Sequence, residues 1–299
     1  MSSRIVVTGA GGFVGTHLLE LLGDEAAPLD ADVTDPGAVA QALRGARPRA
    51  VVHLAALSSV PESWREPAPV WEVNVVGTVN VLEAVRREHP HARVLFASTG
   101  EVYGRPERLP TPEDEAVAPV SPYAASKAAA EIACGQAREA GLDVVVARAF
   151  QHEGPGRDER FAVGSWTRQL AELELDGGGT LRVGNLDVER DITDVRDVCR
   201  AYRLLLEPSV DGGTYNVASG RSVSLAAVVD LLVQLADCSV VVEPDPERLR
   251  PADIPVMRGN ASRLEDATGW RPEIPLEQTL SDTLESARRA VRQERMANV

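Results

Sequence analysis

The feature that most constrains this chain is a tyrosine–lysine pair, Tyr123 and Lys127, that follows a glycine-rich loop at residues 8–15. An apolar run comes directly before the loop, and a helical apolar pattern comes after it. Glycines in such a turn let the backbone approach a pyrophosphate closely, and the amides at the start of the next helix attract its charge. The sequence therefore predicts a dinucleotide site with contacts from Gly9, Gly12, Phe13, Val14 and Gly15.

The spacing of Tyr123 and Lys127 predicts the chemistry at this site. Residues four apart lie on the same face of a helix. A lysine ammonium within ~4–6 Å of a phenol stabilises the phenolate, so we expect Lys127 to lower the pKa of Tyr123 from its usual ~10. Such a tyrosine gives and takes protons near neutral pH. Beside a dinucleotide, the pair predicts an enzyme that interconverts alcohols and ketones.

Short apolar runs alternate with helical patterns in the first half of the chain. The runs lack polar alternation, which is typical of strands covered on both faces; they lie at residues 4–8, 50–54, 93–97 and 143–147. The pattern predicts an α/β fold, a Rossmann-type doubly wound parallel sheet with ligands at the carboxyl ends of its strands. We expect an NAD(P)-binding domain over residues 1–152 and a smaller, mainly substrate-binding lobe over 153–299, with segments around 184–218 returning to the first domain.

The net charge of −14 excludes several classes of partner. A chain this acidic has no broad basic surface for nucleic acid or an anionic membrane, so an anionic substrate needs local arginines. No apolar run approaches the ~20 residues of a membrane span, and residues 1–4 lead into a strand without a signal-peptide pattern. Cys134, Cys199 and Cys238 lie far apart, which fits neither a disulfide framework nor a zinc site. We expect a cytoplasmic protein with no metal centre.

The strand after the glycine-loop helix normally selects the cofactor, and the segment that leads into it is unusually short here. Asp30 is the best candidate for an acid that faces the adenosine ribose, although it also suits a simple turn. Because no arginine stands at this strand end, NAD is slightly favoured over NADP. Asp32 and Val33 are expected against the adenine.

Small residues at the end of the run at 50–54 indicate that the backbone passes close to the cofactor there. Leu54, Ala55 and Ala56 are therefore predicted cofactor contacts. His53 is interpreted as a structural histidine at the strand end rather than as a catalytic one.

Three further polar residues are candidates for roles at the site. Asn74 stands in the middle of a predicted helix, where asparagine is unfavourable, so either an inward link to Lys127 or simple exposure explains it. The Thr99 hydroxyl can hydrogen-bond the substrate oxygen that Tyr123 protonates. Glu101 is a base toward a carbon acid, an acceptor for sugar hydroxyls, or a solvated loop residue.

These motifs together resemble the extended short-chain dehydrogenases/reductases that act on nucleotide sugars. The segments that carry the resemblance lie at residues 8–15, 53–56, 98–104 and 121–127. The second half is most similar to GDP-4-keto-6-deoxymannose reductases and, more distantly, to GDP-mannose 4,6-dehydratases, through residues 148–156, 182–191, 193–198 and 249–255.

The resemblance implies roles for individual residues. Thr99 corresponds to the active-site hydroxyl, Tyr123 to the acid/base, and Lys127 to its activator and ribose ligand. Arg190 and Arg250 match arginines that grip a nucleotide diphosphate. Asp253 is expected to hold the nucleotide ribose or to orient Arg250. The full substrate-binding set is then Ser59, Thr99, Gln151, Arg182, Arg190, Arg250 and Asp253.

Two departures from the family pattern bear on the reaction. Gln151 stands where the family usually has asparagine, and Gly100 stands where many dehydratases have aspartate or serine. Chain length and the resemblance of the second half favour a reductase at sugar C4. Asp30 and Gln151 keep a 4-epimerase that retains NAD close behind, and Gly100 makes a 4,6-dehydratase third. A non-enzymatic sensor of dinucleotides is least favoured, because such proteins generally lack the Tyr–Lys pair.

An alanine-rich helix at residues 122–140 bears on assembly. Relatives use this helix, with the one near residues 70–89, in a four-helix dimer interface. The resemblance thus predicts a homodimer, and a helix packed only on its own sheet is the alternative.

Overall fold

The computed structural model describes residues 4–248 and 253–297. The strands in these ranges are β1 (Ile5–Thr8), β2 (Ala26–Pro28), β3 (Ala50–His53), β4 (Arg93–Thr99), β5 (Val144–Ala149), β6 (Gln151–Glu153), β7 (Gly179–Val183), β8 (Glu189–Arg190), β9 (Ile192–Asp194), β10 (Gly213–Val217), β11 (Val223–Ser224), β12 (Val240–Pro244) and β13 (Val256–Met257). The α-helices are α1 (Phe13–Leu22), α2 (Pro36–Ala46), α3 (Val60–Arg65), α4 (Pro67–Trp71), α5 (Gly77–Glu88), α6 (Pro122–Glu139), α7 (Ala162–Asp176), α8 (Val195–Leu205), α9 (Leu225–Leu235), α10 (Ser262–Thr268) and α11 (Leu276–Ala297). A π-helical turn, Glu72–Val76, joins α4 to α5, and 3₁₀ turns lie at Gly23–Glu25, Gly100–Tyr103 and Pro246–Arg248.

Six parallel strands form the central sheet in the order β10–β5–β4–β3–β1–β2. The predicted doubly wound α/β fold is confirmed. Because β1 lies between β2 and β3, the chain crosses to opposite sides of β1, and a crevice opens at the carboxyl ends of these strands. The glycine loop leaves β1 at this crevice.

Both faces of the sheet are buried, which explains the unbroken apolar runs. In β1, the side chains of Ile5 and Val7 pack with α1 and α8, whereas Val6 packs with α2, α5 and α6. Alternate residues of one strand therefore enter two separate cores.

A separate core, built from α7, α9, α11 and β7, holds the second half of the chain together. By contrast, α8 packs against α1, and β10 joins the central sheet. This pattern supports a main unit with a smaller lobe and a returning segment, and the boundary at residue 152 stays a proposal.

A buried carboxylate joins the strands of the small lobe to the end of β10. Asp191 is fully buried between β8 and β9. It accepts hydrogen bonds from the amides of Ser219, Gly220 and Gly259 at 2.7, 2.9 and 3.1 Å. A buried carboxylate is tolerated only when its oxygens are satisfied in this way, so these segments are held in one arrangement.

None of the helices in residues 4–248 and 253–297 is long and apolar enough to span a bilayer. The three cysteines carry free thiols, with Cys134 and Cys199 buried. The cytoplasmic location stays a prediction.

The turn from β1 to α1 depends on two glycines. Gly9 has φ +65°, and a Cβ there would lie 2.7 Å from the amide nitrogen of Ala55. A Cβ at Gly15 would lie 2.5 Å from the carbonyl oxygen of Gly9. The backbone of α1 therefore contacts the loop directly, and any side chain at either position would separate them.

We expect Gly15→Ala to lower the free energy of unfolding by about 2 kcal/mol, because the new methyl group overpacks against backbone atoms that cannot move independently. Chemical denaturation of the protein without ligand measures this loss. Gly11→Ala is the control, since a Cβ there meets nothing within 4 Å. Equal stability of the two variants would contradict the constraint.

Candidate active site

The glycine loop forms an anion site at the start of α1. Gly12 precedes the helix, its amide donates to the Gly9 carbonyl at 3.0 Å, and no side chain caps the helix. In contrast, α2 is capped by Asp35 and α6 by Ser121. The amides of the first turn, which begins at Phe13, are left for a ligand. This cradle fits the pyrophosphate of a dinucleotide.

The predicted adenosine contacts lie at the edge of the sheet. Asp30 is exposed two residues beyond the end of β2, where a ribose-facing acid belongs. The Asp32 carboxylate accepts hydrogen bonds from the amide and hydroxyl of Thr34, which lower the pKa of Asp32. Val33 is buried against Gly77. The side chains of Asp32 and Val33 are thus engaged within the protein, and their contact with adenine stays a prediction.

The end of β3 lies directly beside the glycine loop. Ala55 contacts Gly9, and its amide donates to the Thr8 hydroxyl at 3.2 Å. Leu54 and Ala56 are half-buried on either side of it. These positions agree with the predicted approach of this backbone to the cofactor.

His53 has the structural role expected of it. Its Nδ1 forms a hydrogen bond with the Thr8 hydroxyl at 2.7 Å, and its Nε2 forms one with the Thr78 hydroxyl at 3.1 Å. Burial lowers the pKa of His53 to about 3, so the ring is neutral.

Asn74 holds the loop after β3 against α6. The side chain is buried, accepts a hydrogen bond from the Leu57 amide at 2.9 Å and donates to the Leu57 carbonyl at 3.1 Å. It also donates to the Ser126 hydroxyl at 2.9 Å. The expected link to Lys127 is therefore wrong by one residue, because Ser126 is the α6 residue that faces the turn at Glu72–Val76.

Tyr123 and Lys127 lie one turn apart near the start of α6. Pro122 begins this helix, and the Ser121 hydroxyl accepts a hydrogen bond from the Ala124 amide at 3.1 Å. Tyr123 faces the cavity, whereas Lys127 is buried, with its Nζ 4.2 Å from the centroid of the Phe96 ring. Burial lowers the pKa of Lys127 to about 8.

The environment of Tyr123 differs from the one expected. Burial raises the pKa of Tyr123, and the carboxylate of Glu101 raises it further. A hydrogen bond with Thr99 and the charge of Arg157 act in the opposite direction. The expectation that Lys127 lowers this pKa is wrong: Lys127 is not among the groups that act on Tyr123, and its ammonium lies over the Phe96 ring.

Thr99 and Glu101 approach Tyr123 from the end of β4. The Thr99 hydroxyl also accepts a hydrogen bond from the Glu101 amide at 3.2 Å, which fixes the 3₁₀ turn that carries Glu101. Gly100 lies between them, and a Cβ there would be 2.9 Å from the ring of Phe150. The aromatic ring therefore occupies the space that a side chain at position 100 would need.

A cavity of ≈ 420 Å³ lies in front of these residues. Six of the predicted residues line it, namely Thr99, Glu101, Tyr123, Gln151, Arg190 and Asp253. This volume is within the usual range of small-molecule sites. The predicted catalytic and substrate residues thus largely share one cavity.

Arg190 and Asp253 form a nearly buried ion pair at the cavity wall. Arg190 Nη2 lies 2.6 Å from Asp253 Oδ1, and Arg190 Nη1 donates to the Ile254 carbonyl at 2.7 Å. Asn185 donates to the other oxygen of Asp253 at 3.1 Å. Asp253 therefore orients Arg190. Arg250, its expected partner, lies outside the described residues.

Two predicted substrate residues are absent from the cavity lining. The Ser59 hydroxyl accepts a hydrogen bond from the Glu62 amide at the start of α3, and Ser58 lines the cavity in its place. Arg182 is exposed in β7, with its Nη1 3.7 Å from Glu243. The structure corrects both expectations. Which of two neighbouring loop residues reaches the cavity, and on which face of a strand a side chain lies, depend on the local backbone conformation.

Three arginines that were not predicted from the sequence also line the cavity, namely Arg157, Arg160 and Arg248. Arg157 follows the Gly-Pro-Gly turn at residues 154–156, and Arg248 donates to the Ser165 hydroxyl at 2.9 Å. The position of Arg157 directly after the residue 148–156 motif was the available signal. Local arginines within an acidic chain are what an anionic substrate requires.

The comparisons with known proteins agree with this geometry. A family model described as GDP-mannose 4,6 dehydratase matches residues 24–283. A GDP-6-deoxy-D-mannose reductase from Pseudomonas aeruginosa is 38% identical, over 98% of this chain and 100% of the relative.

Solved structures share the fold over nearly the whole chain. RMD from Pseudomonas aeruginosa, complexed with NADPH, has a TM-score of 0.88 at 36% identity, covering 96% of this chain and 99% of that one. UDP-glucose 4-epimerase from Thermus thermophilus, in complex with NAD, has a TM-score of 0.85 at 32% identity, covering 95% and 99%.

These matches confirm the predicted resemblance. The family model spans most of the chain, and the fold, the glycine loop and the Tyr–Lys pair all fit a nicotinamide dinucleotide. The chain therefore belongs to the GDP-mannose 4,6-dehydratase family of extended short-chain dehydrogenases/reductases and is an NAD(P)-dependent enzyme.

Proposed function

We propose that this enzyme reduces the C4 carbonyl of a GDP-linked 4-keto-6-deoxy sugar. The relative from Pseudomonas aeruginosa, which is matched along its whole length, is a GDP-6-deoxy-D-mannose reductase. Similarity of this extent supports the same class of reaction.

The packing around Gly100 supports reduction rather than dehydration. The Phe150 ring lies where a side chain at position 100 would project. Many dehydratases have an aspartate or serine there, so this site lacks one polar group of the elimination machinery. A reductase needs only one proton donor at the carbonyl oxygen, which Tyr123 supplies.

The polar groups of the cavity account for a carbonyl reduction. When bound, the nicotinamide supplies the hydride that the carbonyl carbon accepts. Tyr123 donates its proton to the carbonyl oxygen, and the Thr99 hydroxyl, already hydrogen-bonded to Tyr123, holds that oxygen. Because burial and Glu101 raise the pKa of Tyr123, the phenol is protonated at neutral pH, as a proton donor must be.

The nucleotide end of the substrate is assigned to the arginines of the cavity wall. Arg190 and Arg248 offer planar guanidinium groups, which suit diphosphate oxygens. Gln151 lines the same cavity, and its side-chain amide donates to Glu153 Oε1 at 2.9 Å.

Epimerisation at C4 is the second candidate, supported by the similarity to an NAD-bound UDP-glucose 4-epimerase. An epimerase begins by removing a proton from a sugar hydroxyl, which needs a phenolate. The raised pKa of Tyr123 opposes this first step. A reductase consumes one reduced dinucleotide per sugar, whereas an epimerase keeps its NAD bound and consumes none.

We also propose that NADH is preferred to NADPH. Asp30 is exposed just beyond the end of β2, where this fold usually places an acid for the adenosine ribose. Residues 5–43 contain four aspartates and two glutamates but no lysine or arginine, so this segment offers no cation to a 2′-phosphate.

A homodimer through α5 and α6 is the proposed assembly. Ala124, Ala128 and Ala130 are buried inside the subunit, so they do not form the outer face. The outer face instead presents Ile132 of α6, which is 76% exposed, and the half-exposed Val76 in the turn that leads into α5. Exposed apolar side chains grouped on adjacent helices are typical of a subunit interface.

Tyr123→Phe should lower the turnover of GDP-4-keto-6-deoxymannose by about a thousandfold, because the proton donor is lost while the ring remains. Oxidation of NADH or NADPH at 340 nm measures this loss, and one dinucleotide is consumed per sugar in the wild type. Tyr215→Phe is the control, since its hydroxyl bonds the Asp211 carbonyl in the core. Unchanged turnover in Tyr123→Phe would contradict the proposal, and isomerised sugar without dinucleotide consumption would favour the epimerase.

The wild-type enzyme should use NADH with a kcat/KM at least about tenfold higher than that for NADPH, and Asp30→Ser should narrow this ratio to about unity. The ratio removes effects on turnover that are common to both cofactors. Asp24→Ser, in the 3₁₀ turn before β2, is the matched control. A preference of the wild type for NADPH would refute the assignment.

Ile132→Glu should convert the dimer to a monomer, because a charge would be buried in an apolar interface. Light scattering coupled to gel filtration gives the mass. Met296→Glu, at a residue that is 80% exposed on α11, should leave the dimer intact. A wild-type monomer, or a dimer that survives Ile132→Glu, would exclude this interface.

A further inference from the structure

The 3₁₀ turn Pro246–Arg248 places two opposite charges side by side at the cavity wall. Both Glu247 and Arg248 line the cavity. The Asp245 carboxylate accepts a hydrogen bond from the Glu247 amide at 3.0 Å, and the Asp245 carbonyl accepts one from the Arg248 amide at 3.1 Å. The two side chains therefore leave a backbone whose shape is fixed by Asp245.

This turn is also tied to the end of β7. The Asp245 amide donates to the Val183 carbonyl at 2.7 Å. A Cβ at Gly184 would lie 2.8 Å from the carbonyl oxygen of Arg248, so the two backbones touch without a side chain between them. Gly184 and the next residue, Asn185, line the cavity as well. The turn is thus a fixed part of the small-lobe wall.

Arg248 is oriented by two other side chains. Its Nε lies 3.1 Å from Asp245 Oδ2, and its Nη1 donates to the Ser165 hydroxyl of α7 at 2.9 Å. A guanidinium has five N–H donors, so these two contacts leave others for a ligand. This arrangement supports the assignment of Arg248 to the substrate diphosphate.

Glu247 has no such partner. Within residues 4–248 and 253–297, its carboxylate takes part in no hydrogen bond or ion pair. Three other carboxylates that line the cavity are each paired with an arginine, namely Glu153 with Arg157 at 3.1 Å, Glu159 with Arg168 at 2.8 Å and Asp253 with Arg190 at 2.6 Å. An uncompensated carboxylate beside a diphosphate weakens binding by repulsion, unless the substrate also supplies hydrogen-bond donors to it.

The bases of nucleotides differ in the donors that they offer to a carboxylate. An ionised carboxylate only accepts hydrogen bonds, through two oxygens. Guanine presents two adjacent donors, its N1–H and its 2-amino group, which match both oxygens. Uracil has one donor between two acceptors, and adenine has an acceptor beside its amino group, so neither base satisfies the pair. Val188, Leu225 and Met257 line the same cavity and offer apolar surface to the faces of a base.

We propose that Glu247 determines the specificity for guanine, by accepting hydrogen bonds from N1–H and the 2-amino group while Arg248 binds the diphosphate. The inference rests on the proposed function, because it takes a nucleotide sugar as the substrate. It adds a reason for the choice of base, which the resemblance alone had implied.

The first test compares nucleoside diphosphates by titration calorimetry and needs no sugar or dinucleotide. Inosine diphosphate (IDP) differs from GDP only in lacking the 2-amino group. The wild type should bind GDP about tenfold more tightly than IDP, because a hydrogen bond to a charged acceptor is lost. Glu247→Ala should bring this ratio to about unity. The ratio cancels any effect of the substitution on the diphosphate that both ligands share.

The second test reverses the preference. Xanthosine diphosphate (XDP) has a carbonyl in place of the 2-amino group. A glutamine at position 247 accepts from N1–H and donates to that carbonyl, so Glu247→Gln should bind XDP about tenfold more tightly than the wild type does and should lose affinity for GDP. Glu243→Gln is the matched control, because it removes an exposed carboxylate of β12 that lies outside the cavity lining. It should leave both affinities unchanged.

Equal binding of GDP and IDP by the wild type would overturn the proposal, as would tighter binding of UDP than of GDP. A wild-type ratio that persists in Glu247→Ala would show that another group selects the base. The same conclusion follows if Glu247→Gln and Glu243→Gln bind XDP equally. Selective binding of GDP without reduction of a GDP-4-keto sugar would refute the proposed function but not the role of Glu247.

Discussion

The direct backbone contacts of Gly9 with Ala55 and with Gly15 are the constraint on which the rest of the structure depends. Because no side chains intervene, α1 packs against the loop at Gly15, and the segment after β3 lies against the loop at Gly9. The uncapped amides of α1 then face the crevice at the carboxyl ends of the strands. Phe13, at the start of α1, in turn supports Arg157 in the substrate cavity. One close approach of backbone thus positions the cofactor cradle and part of the substrate wall.

The reactivity of Tyr123 depends on a balance of burial and charge that no single neighbour sets. Burial and Glu101 favour the phenol, whereas Thr99 and Arg157 favour the phenolate. A donor must be protonated before the reaction and tolerably stable as an anion after it. The first condition follows from burial and the Glu101 carboxylate, and Thr99 and Arg157 act in the direction of the second.

The sequence predicted the sheet well because buried parallel strands leave an unbroken apolar run, and the runs at residues 50–54 and 93–97 correspond to β3 and β4. It was less accurate where a contact depends on the exact turn of a backbone. Asn74 bonds Ser126 rather than Lys127, and Ser58 rather than Ser59 reaches the cavity. On a helix, moving one residue along the chain rotates the side-chain direction by about 100°. Local sequence patterns do not specify which of two neighbouring residues makes a given contact.

The sequence by itself determined the α/β class, the cofactor loop and the Tyr–Lys pair, because each depends on residues that are close together in the chain. Only the tertiary structure decided the charges that act on Tyr123. Arg157 lies 34 positions away in the sequence, and Lys127, four positions away, is directed at Phe96. Electrostatic interactions depend on distance through space and on burial, and neither quantity exists until the chain has folded.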